Sequence, residues 1–475
     1  MADRLERYRS KRDPHRTPEP SGARAGASEG HRFVIQEHHA SHLHWDLRLE
    51  HEGVLVSWAL PKGVPVHPEE NRLAVHTEDH PLEYLDFHGE IPKGSYGGGT
   101  MTIWDAGTYD AEKFRDSEVI VTLHGERVRG RYVLFQTRGK DWMIHRMDPP
   151  PPGVEPMPEQ VAPMLARLGS LPREEDAWAF EVKWDGVRAT AHADAGHLQV
   201  WGRNGTDFTP RYPELREMAV ALGSRRAILD GEVVAFDSEG RPSFERLQSR
   251  MHLASDAQVR RRMRDVPVTY VAFDLLWLEG RSTLGLAYRD RRRLLESLEL
   301  QGPSWRTPAH RERDGSALLA ASAEQRLEGI VAKRLDSVYE PGRRSDAWRK
   351  IKNRPSQDVV VGGWLPGEGG RSGQLGALAV GVYDRAGGEL RYAGRVGSGF
   401  TQATLASTRA ALEPLAVAAS PFVGRQPPKG TAWVDPQLVA HVEFAEWTRA
   451  GTLRAPSFKG LRDDVEAHDV VREEG

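Results

Sequence analysis

The sequence predicts an α+β protein of several domains: a small, mostly β domain, then a larger α+β domain, then a small β-barrel. Three observations lead to this prediction. The length of 475 residues exceeds that of one ordinary domain. A Pro-rich stretch at residues 148–160 divides the chain. Short runs of alternating polarity, typical of β-strands, recur on both sides of that stretch.

Composition limits the classes of protein to consider. Hydrophobic residues make up 39% of the chain, which is enough for packed cores, and the net charge is only -3. Binding to a polyanion therefore requires local basic surface rather than a global positive field. There are no cysteines, which excludes disulfides and thiolate metal sites. No apolar run approaches membrane-spanning length, so we predict a cytoplasmic protein.

Residues 1–31 are rich in Arg, Glu, Pro, Ser and Gly and show almost no apolar periodicity. This composition is typical of chains that cannot bury a core. We predict a disordered arm, either a solvated tail or a contact to nucleic acid, and the composition favours the tail.

Histidines concentrate just after this arm: ten of the chain's 19 fall between His31 and His88. From His44 onward the sequence alternates with period two, so His44, Asp46 and Arg48 share one strand face. The opposite face carries Trp45, Leu47 and Leu49. We expect the apolar face to pack into a core and the polar face to hold an imidazole, a carboxylate and a guanidinium on rigid backbone.

His38 precedes this strand and adds a second imidazole. Two His and one Asp can form a three-ligand divalent metal site with open positions. Arg48 beside them would suit a phosphate. The alternative is a polar sheet face with incidental histidines. Because alternation places three ligand-type side chains together, we predict a metal or phosphate site.

A second cluster lies between Arg72 and Tyr84, where His80 and Tyr84 could donate hydrogen bonds to a phosphate or protonate a leaving group. The Gly-rich run from Ile91 to Thr100 follows. It predicts either a phosphate loop or a plain turn between strands.

These segments together resemble the 3′-phosphoesterase module of bacterial DNA ligase D, over nearly all of residues 32–147. The resemblance implies a small β-barrel that binds Mn²⁺ and leaves a 3′-hydroxyl after removing a 3′-ribonucleotide or 3′-phosphate. It places the metal ligands at His38, His44 and Asp46. It places the catalytic and phosphate-contacting residues at Arg48, Arg72, His80 and Tyr84.

After the linker, an apolar run from Ala177 to Val182 delivers Lys183 to the end of a predicted strand. Asp185 and Gly186 then predict a turn into a returning strand. A lysine fixed at such a corner is a candidate covalent nucleophile, provided that burial or a nearby positive charge lowers its pKa. Arg188 would supply that charge. Alone, the motif is equally compatible with an ordinary charged hairpin.

Further strands carry polar residues at their ends or within them. Glu232 lies inside an apolar strand, where its carboxylate needs a partner such as a ribose or a metal. Glu328 is suited to Mg²⁺, and alternation places Lys350 and Lys352 on one face, as a phosphate clamp requires. Phe273 offers a ring for base stacking. Each of these segments, taken singly, could be an ordinary strand whose polar ends face solvent. That alternative does not explain why all of them occur in this order behind the lysine motif.

Residues 161–475 resemble ATP-dependent DNA ligases of the ligase D type, because six motifs occur in family order. The resemblance implies an ATP-grasp-like nucleotidyltransferase domain and an OB-fold domain. It implies ATP and Mg²⁺ as cofactors, Lys183 as the covalent nucleophile and Glu328 as the metal-associated carboxylate. It places the nucleotide contacts at Glu181, Arg188, Arg203, Glu232, Phe273, Lys350, Lys352 and Arg462.

The third domain combines short strands with Gly-rich turns, which fits an oligonucleotide-binding barrel. Its last motif retains Arg462 and Asp464, but Val465 replaces the lysine with which the family's motif usually ends. We expect this replacement to slow formation of the lysyl-adenylate more than nick closure, unless a neighbour such as Lys459 substitutes.

The sequence therefore predicts domains at 32–147, 161–354 and 355–475, the first healing 3′ ends and the other two sealing nicks. By resemblance, the partners are DNA nicks and double-strand break ends, a Ku-type end-binding protein and a separate polymerase or primase. No polymerase module is recognised in this chain. We expect a monomer in the cytoplasm, associated with the nucleoid.

Two rival functions stay open. One is an RNA ligase or a capping-type guanylyltransferase, against which the phosphoesterase module argues. The other is a non-catalytic scaffold for DNA ends, to which Val465 lends slight support.

Overall fold

The computed structural model describes residues 3–13, 16–22, 30–251, 253, 255–367 and 375–473. In these residues an eight-stranded barrel, an α+β domain and an OB-fold domain follow one another, which confirms the predicted fold class. None of the described helices combines the length and apolar character that crossing a bilayer requires.

The first domain is a closed antiparallel barrel. Its strands are β1 (Arg32–His39), β2 (Leu43–His51), β3 (Val54–Leu60), β4 (Asn71–His76), β5 (Gly89–Ile91), β6 (Gly99–Arg115), β7 (Glu118–Gly125), β8 (Arg129–Arg138) and β9 (Asp141–Arg146). The order is β1-β2-β3-β4-β9-β8-β7-β6, and β6 pairs back with β1 to close the barrel, while β5 pairs with β6.

The alternation of β2 has the predicted consequence. Trp45, Leu47 and Leu49 lie in the barrel core. Asp46 and Arg48 on the other face are also buried, because the segment around Tyr84 covers them from outside the barrel. The polar side chains therefore lie in an enclosed site rather than on open surface.

The predicted disorder of residues 1–31 is wrong for residues 3–13 and 16–22. Helix α1 (Glu6–Ser10) packs on the barrel, and Leu5 and Tyr8 are buried in one apolar cluster with Tyr84. Two apolar side chains and several ion pairs to the barrel order the segment, although its composition is polar. Residues 1–2, 14–15 and 23–29 lie outside the described residues.

Among its described residues, the second domain contains two sheets and five α-helices. Its strands are β10 (Leu165–Leu168), β11 (Trp178–Val182), β12 (Val187–Asp194), β13 (His197–Gly202), β14 (Ala227–Ala235), β15 (Val268–Leu278), β16 (Arg281–Ser282), β17 (Trp305–Arg306), β18 (Arg311–Glu312), β19 (Gly329–Arg334) and β20 (Arg344–Lys352). Its helices are α2 (Arg216–Leu222), α3 (Phe244–Met251), α4 (Asp256–Asp265), α5 (Tyr288–Glu296) and α6 (Gly315–Glu324). The sheet orders are β10-β20-β19-β11-β18 and β13-β12-β14-β15-β16, with β17 on β15.

The expected hairpin around Lys183 is wrong. Strand β11 pairs with β18 and β19, whereas β12 pairs with β13 and β14, so the turn carries the chain from one sheet to the other. Gly186 is required there, because a Cβ at this position would lie 2.2 Å from the carbonyl oxygen of Val233. Lys183 therefore lies in the cleft between the two sheets.

The third domain is built on a sheet of order β23-β22-β21-β25-β24, in which β26 joins β21 to β29. Its elements are β21 (Ser356–Pro366), β22 (Leu375–Tyr383), β23 (Leu390–Val396), α7 (Gln402–Leu412), β24 (Ala416–Val417), β25 (Ala432–Val434), β26 (Val439–Glu443), β27 (Glu446–Trp447), β28 (Leu453–Arg454) and β29 (Ser457–Arg462). Thr401 and Thr404 form a capping box at the start of α7.

His192 on β12 predicts an acid sensitivity of the second domain. Its ring is buried, Nε2 has no hydrogen-bond partner among the described residues, and burial lowers its pKa to about 4. In the unfolded chain, a histidine has a pKa of about 6.5. The contribution of neutral His192 to the free energy of unfolding is therefore fully present above that pH, and it falls by ~3 kcal/mol as the pH drops toward 4. Urea unfolding at pH 7 and pH 4.5 should show this loss in the wild type. His192→Phe should lack it; an equal pH dependence in both proteins would contradict the prediction.

Candidate active sites

The first candidate site is a cluster of three ligand-type side chains on β1 and β2. His38 lies opposite His44 in the strand register, and Asp46 follows two residues later on the same face. Nδ1 of His38 lies 3.1 Å from Nε2 of His44 and 3.6 Å from a carboxylate oxygen of Asp46. The three ligand atoms all lie within 4.8 Å of one another, which is the spacing of ligands around one ion.

The distal nitrogens of both imidazoles are also held. His38 donates from Nε2 to the carbonyl of Gly97 at 3.0 Å, and His44 donates from Nδ1 to the carbonyl of His42 at 3.0 Å. Such outer hydrogen bonds leave the inner nitrogens free as lone-pair donors to a metal. Gly97 belongs to the predicted Gly-rich run, which forms a turn that supplies this carbonyl. The residues present therefore fit a divalent cation.

Arg48 extends the cluster toward a phosphate. Its guanidinium donates to Asp46 at 3.1 Å, to Gln36 at 2.7 Å and to Ser57 at 3.1 Å. Burial by itself would raise the pKa of Asp46. Arg48 and the two histidines lower this pKa by more than burial raises it, so the carboxylate stays ionised. Arg48 also lies over the Tyr84 ring, 4.8 Å from its centroid.

His80 and Tyr84 lie beside this cluster, as predicted. His80 donates from Nδ1 to the carbonyl of Glu78 at 2.8 Å, which leaves Nε2 facing the site. Burial, together with Arg48 and Arg12, lowers the pKa of His80 well below its ordinary value. The imidazole is therefore neutral near pH 7, and the lone pair of its Nε2 faces the guanidinium of Arg12.

The N-terminal segment completes the site, which sequence reasoning missed. Nη2 of Arg12 lies 3.3 Å from Nε2 of His80, and the same guanidinium pairs with Glu19 at 2.6 Å and Glu78 at 2.9 Å. Glu19 in turn accepts from the Tyr84 hydroxyl. Apart from the pair Arg12–Glu19, these contacts join residues more than 60 positions apart, and no local pattern in the arm signals them.

Arg72 does not join this cluster. Its guanidinium donates to the carbonyl of Lys62, pairs with Glu70 at 2.8 Å and lies 3.9 Å from Asp194 of the second domain. Asp194 also pairs with Arg226 at 2.8 Å. In this structure, Arg72 lies where the first two domains meet, so its predicted contact with the substrate phosphate would require these ion pairs to open.

The second candidate site is a cavity of about 430 Å³ between the second and third domains. It brings together every residue predicted for the ligase half of the chain. These are Glu181, Lys183, Arg188, Arg203, Glu232, Phe273, Glu328, Lys350, Lys352 and Arg462.

Lys183 lines this cavity and forms an ion pair with Glu328. Burial would lower the pKa of Lys183, but Glu328, with Asp185 and Glu232, raises it above its ordinary value. The expectation that Arg188 lowers this pKa is wrong, because Arg188 has its own carboxylate partner. Lys183 is therefore a protonated, paired ammonium until Glu328 is drawn away.

Arg188 forms a bidentate pair with Asp230, with both N–O distances at 2.6 Å, and its guanidinium lies 4.7 Å from the centroid of the Phe273 ring. Arg188 faces Glu232 across β12 and β14. Burial raises the pKa of Glu232 to about 8, which suits a protonated carboxyl that shares hydrogen bonds with a ribose.

Glu181 lines the same cavity as Phe273. Its carboxylate is 3.0 Å from Nζ of Lys333 and accepts from the Tyr288 hydroxyl. Lys333, which sequence reasoning did not single out, also lies 4.4 Å from the centroid of the Phe273 ring. An apolar ring beside one buried cation and one buried carboxylate suits a purine base.

The two lysines of the predicted clamp lie close together. Lys350 and Lys352 project from one face of β20, and both contact the carboxylate of Glu473. Arg462, which lines the same cavity, pairs with Asp464 at 2.7 Å.

Val465 lines the same cavity, whereas Lys459 does not. Lys459 pairs with Glu443 at 3.0 Å and lines a separate cavity of about 600 Å³. The suggestion that Lys459 replaces the missing lysine is therefore not supported by its position.

Comparison with known proteins matches each part of the chain to a described family. Residues 36–136 match the DNA ligase D 3′-phosphoesterase domain. Residues 163–352 match the ATP-dependent DNA ligase domain, and residues 371–465 match the C-terminal region of ATP-dependent DNA ligases.

Similar proteins include the multifunctional non-homologous end joining protein LigD of Mycolicibacterium smegmatis, which is 47% identical over 100% of this chain and 62% of its own length. The protein of the same name from Pseudomonas aeruginosa is 38% identical over 99% of this chain and 62% of its own length. The chain thus spans about three fifths of these curated relatives. A solved structure of mycobacterial DNA ligase D complexed with ATP and MES is 41% identical, covers 66% of this chain and 98% of that chain, and has a TM-score of 0.49.

A lysine between two sheets, a cavity beside an OB-fold domain and a barrel with a metal-ligand triad, taken with the matched regions, define a class: ATP-dependent DNA ligase domains with an added DNA ligase D 3′-phosphoesterase domain. Within that class, the chain belongs to the bacterial DNA ligase D family.

Proposed function

We propose that this chain heals 3′ ends and seals nicks in DNA with ATP during repair of double-strand breaks by non-homologous end joining. The observation that carries the proposal is the single cavity in which Lys183 lies among Glu328, Lys350 and Lys352. A nucleophile surrounded by cations and one metal-suited carboxylate fits phosphoryl-type transfer.

In the first step, Nζ of Lys183 attacks the α-phosphorus of ATP, an N–P bond forms and pyrophosphate leaves. The ammonium must first lose its proton and its pair with Glu328. Mg²⁺ held by Glu328 and the phosphates would neutralise charge on the nucleotide. Lys350 and Lys352 would hold the departing phosphates, and Glu232 and Phe273 the ribose and the base.

In the later steps, AMP passes from Lys183 to the 5′-phosphate at a nick. The 3′-hydroxyl then attacks that phosphorus, a phosphodiester forms and AMP leaves. The second and third domains face each other across the cavity, so Arg462 would contact the nucleotide from the OB-fold side.

The barrel would perform the healing reaction. His38, His44 and Asp46 would hold Mn²⁺, which supplies a Lewis acid at the phosphate. Arg48 and Arg12 would bind the phosphate oxygens, and His80 would transfer a proton at Nε2. The 3′-hydroxyl that results is the group that the sealing step consumes.

The partners and location follow from this function. We propose that the substrates are nicks and break ends in bacterial cytoplasm at the nucleoid. A Ku-type end-binding protein and a separate polymerase or primase would act with a monomer of this chain.

One experiment separates the rival functions. The protein is incubated with α-labelled ATP or GTP, Mg²⁺ and nicked DNA or nicked RNA, and label on protein, release of pyrophosphate and sealed product are measured. Label from ATP with sealing of DNA supports the proposal. Label from GTP would favour a capping enzyme, sealing only of RNA would favour an RNA ligase, and no pyrophosphate release would favour a scaffold.

Val465 gives a prediction about the first step. A lysine there would add a cation to the wall that faces the departing pyrophosphate. Val465→Lys is expected to speed lysyl-adenylate formation roughly tenfold and closure of a pre-adenylated nick by less than about twofold. Single-turnover assays of each step measure both rates, with Lys459→Ala as a control for first-step chemistry. Equal acceleration of both steps would contradict the prediction.

A further inference from the structure

The segment Glu466–Glu473 follows the motif that contains Arg462 and Asp464. It returns to the cavity that Lys183 lines. It is anchored to the third domain, because Val470 is buried in that domain's core and its carbonyl accepts from the Tyr383 N–H at 2.8 Å. The Gly387 N–H donates to the carbonyl of His468 at 2.9 Å. These anchors deliver the end of the segment to a defined place on the cavity wall.

That place is the pair Lys350 and Lys352, which we call the lysine clamp. One oxygen of the Glu473 carboxylate contacts Nζ of Lys350, and the other lies 3.5 Å from Nζ of Lys352. The Glu473 N–H donates to Gln357 at 3.2 Å, and Gln357 donates back to the carbonyl of Val471 at 3.2 Å. The carboxylate is therefore fixed from both sides, and its side chain is only 22% exposed.

A carboxylate and a phosphoryl group use the same chemistry at a lysine, since both present anionic oxygens to ammonium donors. The clamp cannot pair fully with both at once. Burial lowers the pKa of Lys350 to about 8, and the adjacent Glu473 opposes this shift, so an anion beside it favours the charged form.

We propose that Glu473 is an internal competitor for the phosphates of ATP. It holds Lys350 and Lys352 until the β- and γ-phosphates displace it, and it returns to them when pyrophosphate leaves. The device raises the ATP concentration needed for the first step and also opposes rebinding of pyrophosphate. This inference rests on the proposed function, because it requires the two lysines to be phosphate ligands.

Calorimetric titration of the full chain with α,β-methylene-ATP tests the proposal, since this probe keeps three phosphates but is not expected to adenylylate Lys183. Glu473→Gln is expected to lower its Kd about tenfold and to leave the Kd of AMP, which lacks the outer phosphates, within about twofold. Inhibition of lysyl-adenylate formation by pyrophosphate should strengthen by a similar factor. Glu466→Gln removes the same charge from the same segment away from the clamp and should change neither Kd.

An unchanged or higher Kd for α,β-methylene-ATP in Glu473→Gln overturns the inference, and so does an equal gain for AMP. Glu473→Ala should behave like Glu473→Gln, which separates lost charge from altered hydrogen bonding. Labelling of the same wild-type preparation with α-labelled ATP distinguishes the two failures. Without lysyl-adenylate the proposed function fails; with lysyl-adenylate but an unchanged Kd only the inference fails.

Discussion

Lys183→Ala is expected to abolish labelling of the protein by α-labelled ATP and to lower ATP-dependent nick sealing by more than roughly 10³-fold. The reason is chemical, since the N–P bond of the proposed first step forms at Nζ of Lys183. Peptide mapping of the labelled wild type should locate the adenylate on the peptide that holds Lys183. Closure of a pre-adenylated nick should persist, because that step needs the cavity but not the nucleophile.

Lys183→Arg is the matched variant, since it keeps a cation opposite Glu328 but is not a nucleophile at neutral pH. This variant should also stay unlabelled by α-labelled ATP, but it should still bind α,β-methylene-ATP. Label that persists in either variant would place the nucleophile elsewhere and would remove the main support for the proposed first step.

Asp46→Asn is expected to lower Mn²⁺-dependent removal of a 3′-phosphate from duplex DNA by more than roughly 100-fold. The amide keeps the size of the side chain but loses the charge that faces two imidazoles and Arg48. Titration calorimetry with Mn²⁺ should show weaker metal binding alongside the lost activity.

Nick sealing is the internal control for this variant, because the second and third domains contain the whole ligase cavity. Sealing by Asp46→Asn should stay within about twofold of the wild type, and phosphate removal by Lys183→Ala should be equally unaffected. If Asp46→Asn removed 3′-phosphates normally at saturating Mn²⁺, the triad would not be the healing site.

Much of the site was predictable where it depends on local pattern. Period-two alternation put Asp46 and Arg48 on one face of β2, and the structure places both with His38 and His44. Alternation likewise put Lys350 and Lys352 on one face of β20. Such inferences succeed because strand geometry alone sets which side chains share a face.

Inferences that needed a partner from elsewhere in the chain failed or were missing. The turn after Lys183 looked like a hairpin, because local sequence does not show which sheet the next strand joins. Arg188 looked available to Lys183, but Asp230, 42 positions away, holds it. The polar composition of the arm gave no indication that Leu5 and Tyr8 are buried against the barrel or that Arg12 contacts His80 in its site.

By itself, the sequence determined the order of the domains and the strand faces that carry the ligands, because periodicity is a local property of the chain. It indicated the residues of the ligase cavity through the resemblance of its ordered motifs to those of ATP-dependent DNA ligases. Only the tertiary structure decided the charge state of that cavity. It pairs Lys183 with Glu328 and the two clamp lysines with Glu473, and it closes the barrel site with Arg12. Electrostatic pairing depends on distances between residues remote in sequence, and those distances exist only once the domains have packed.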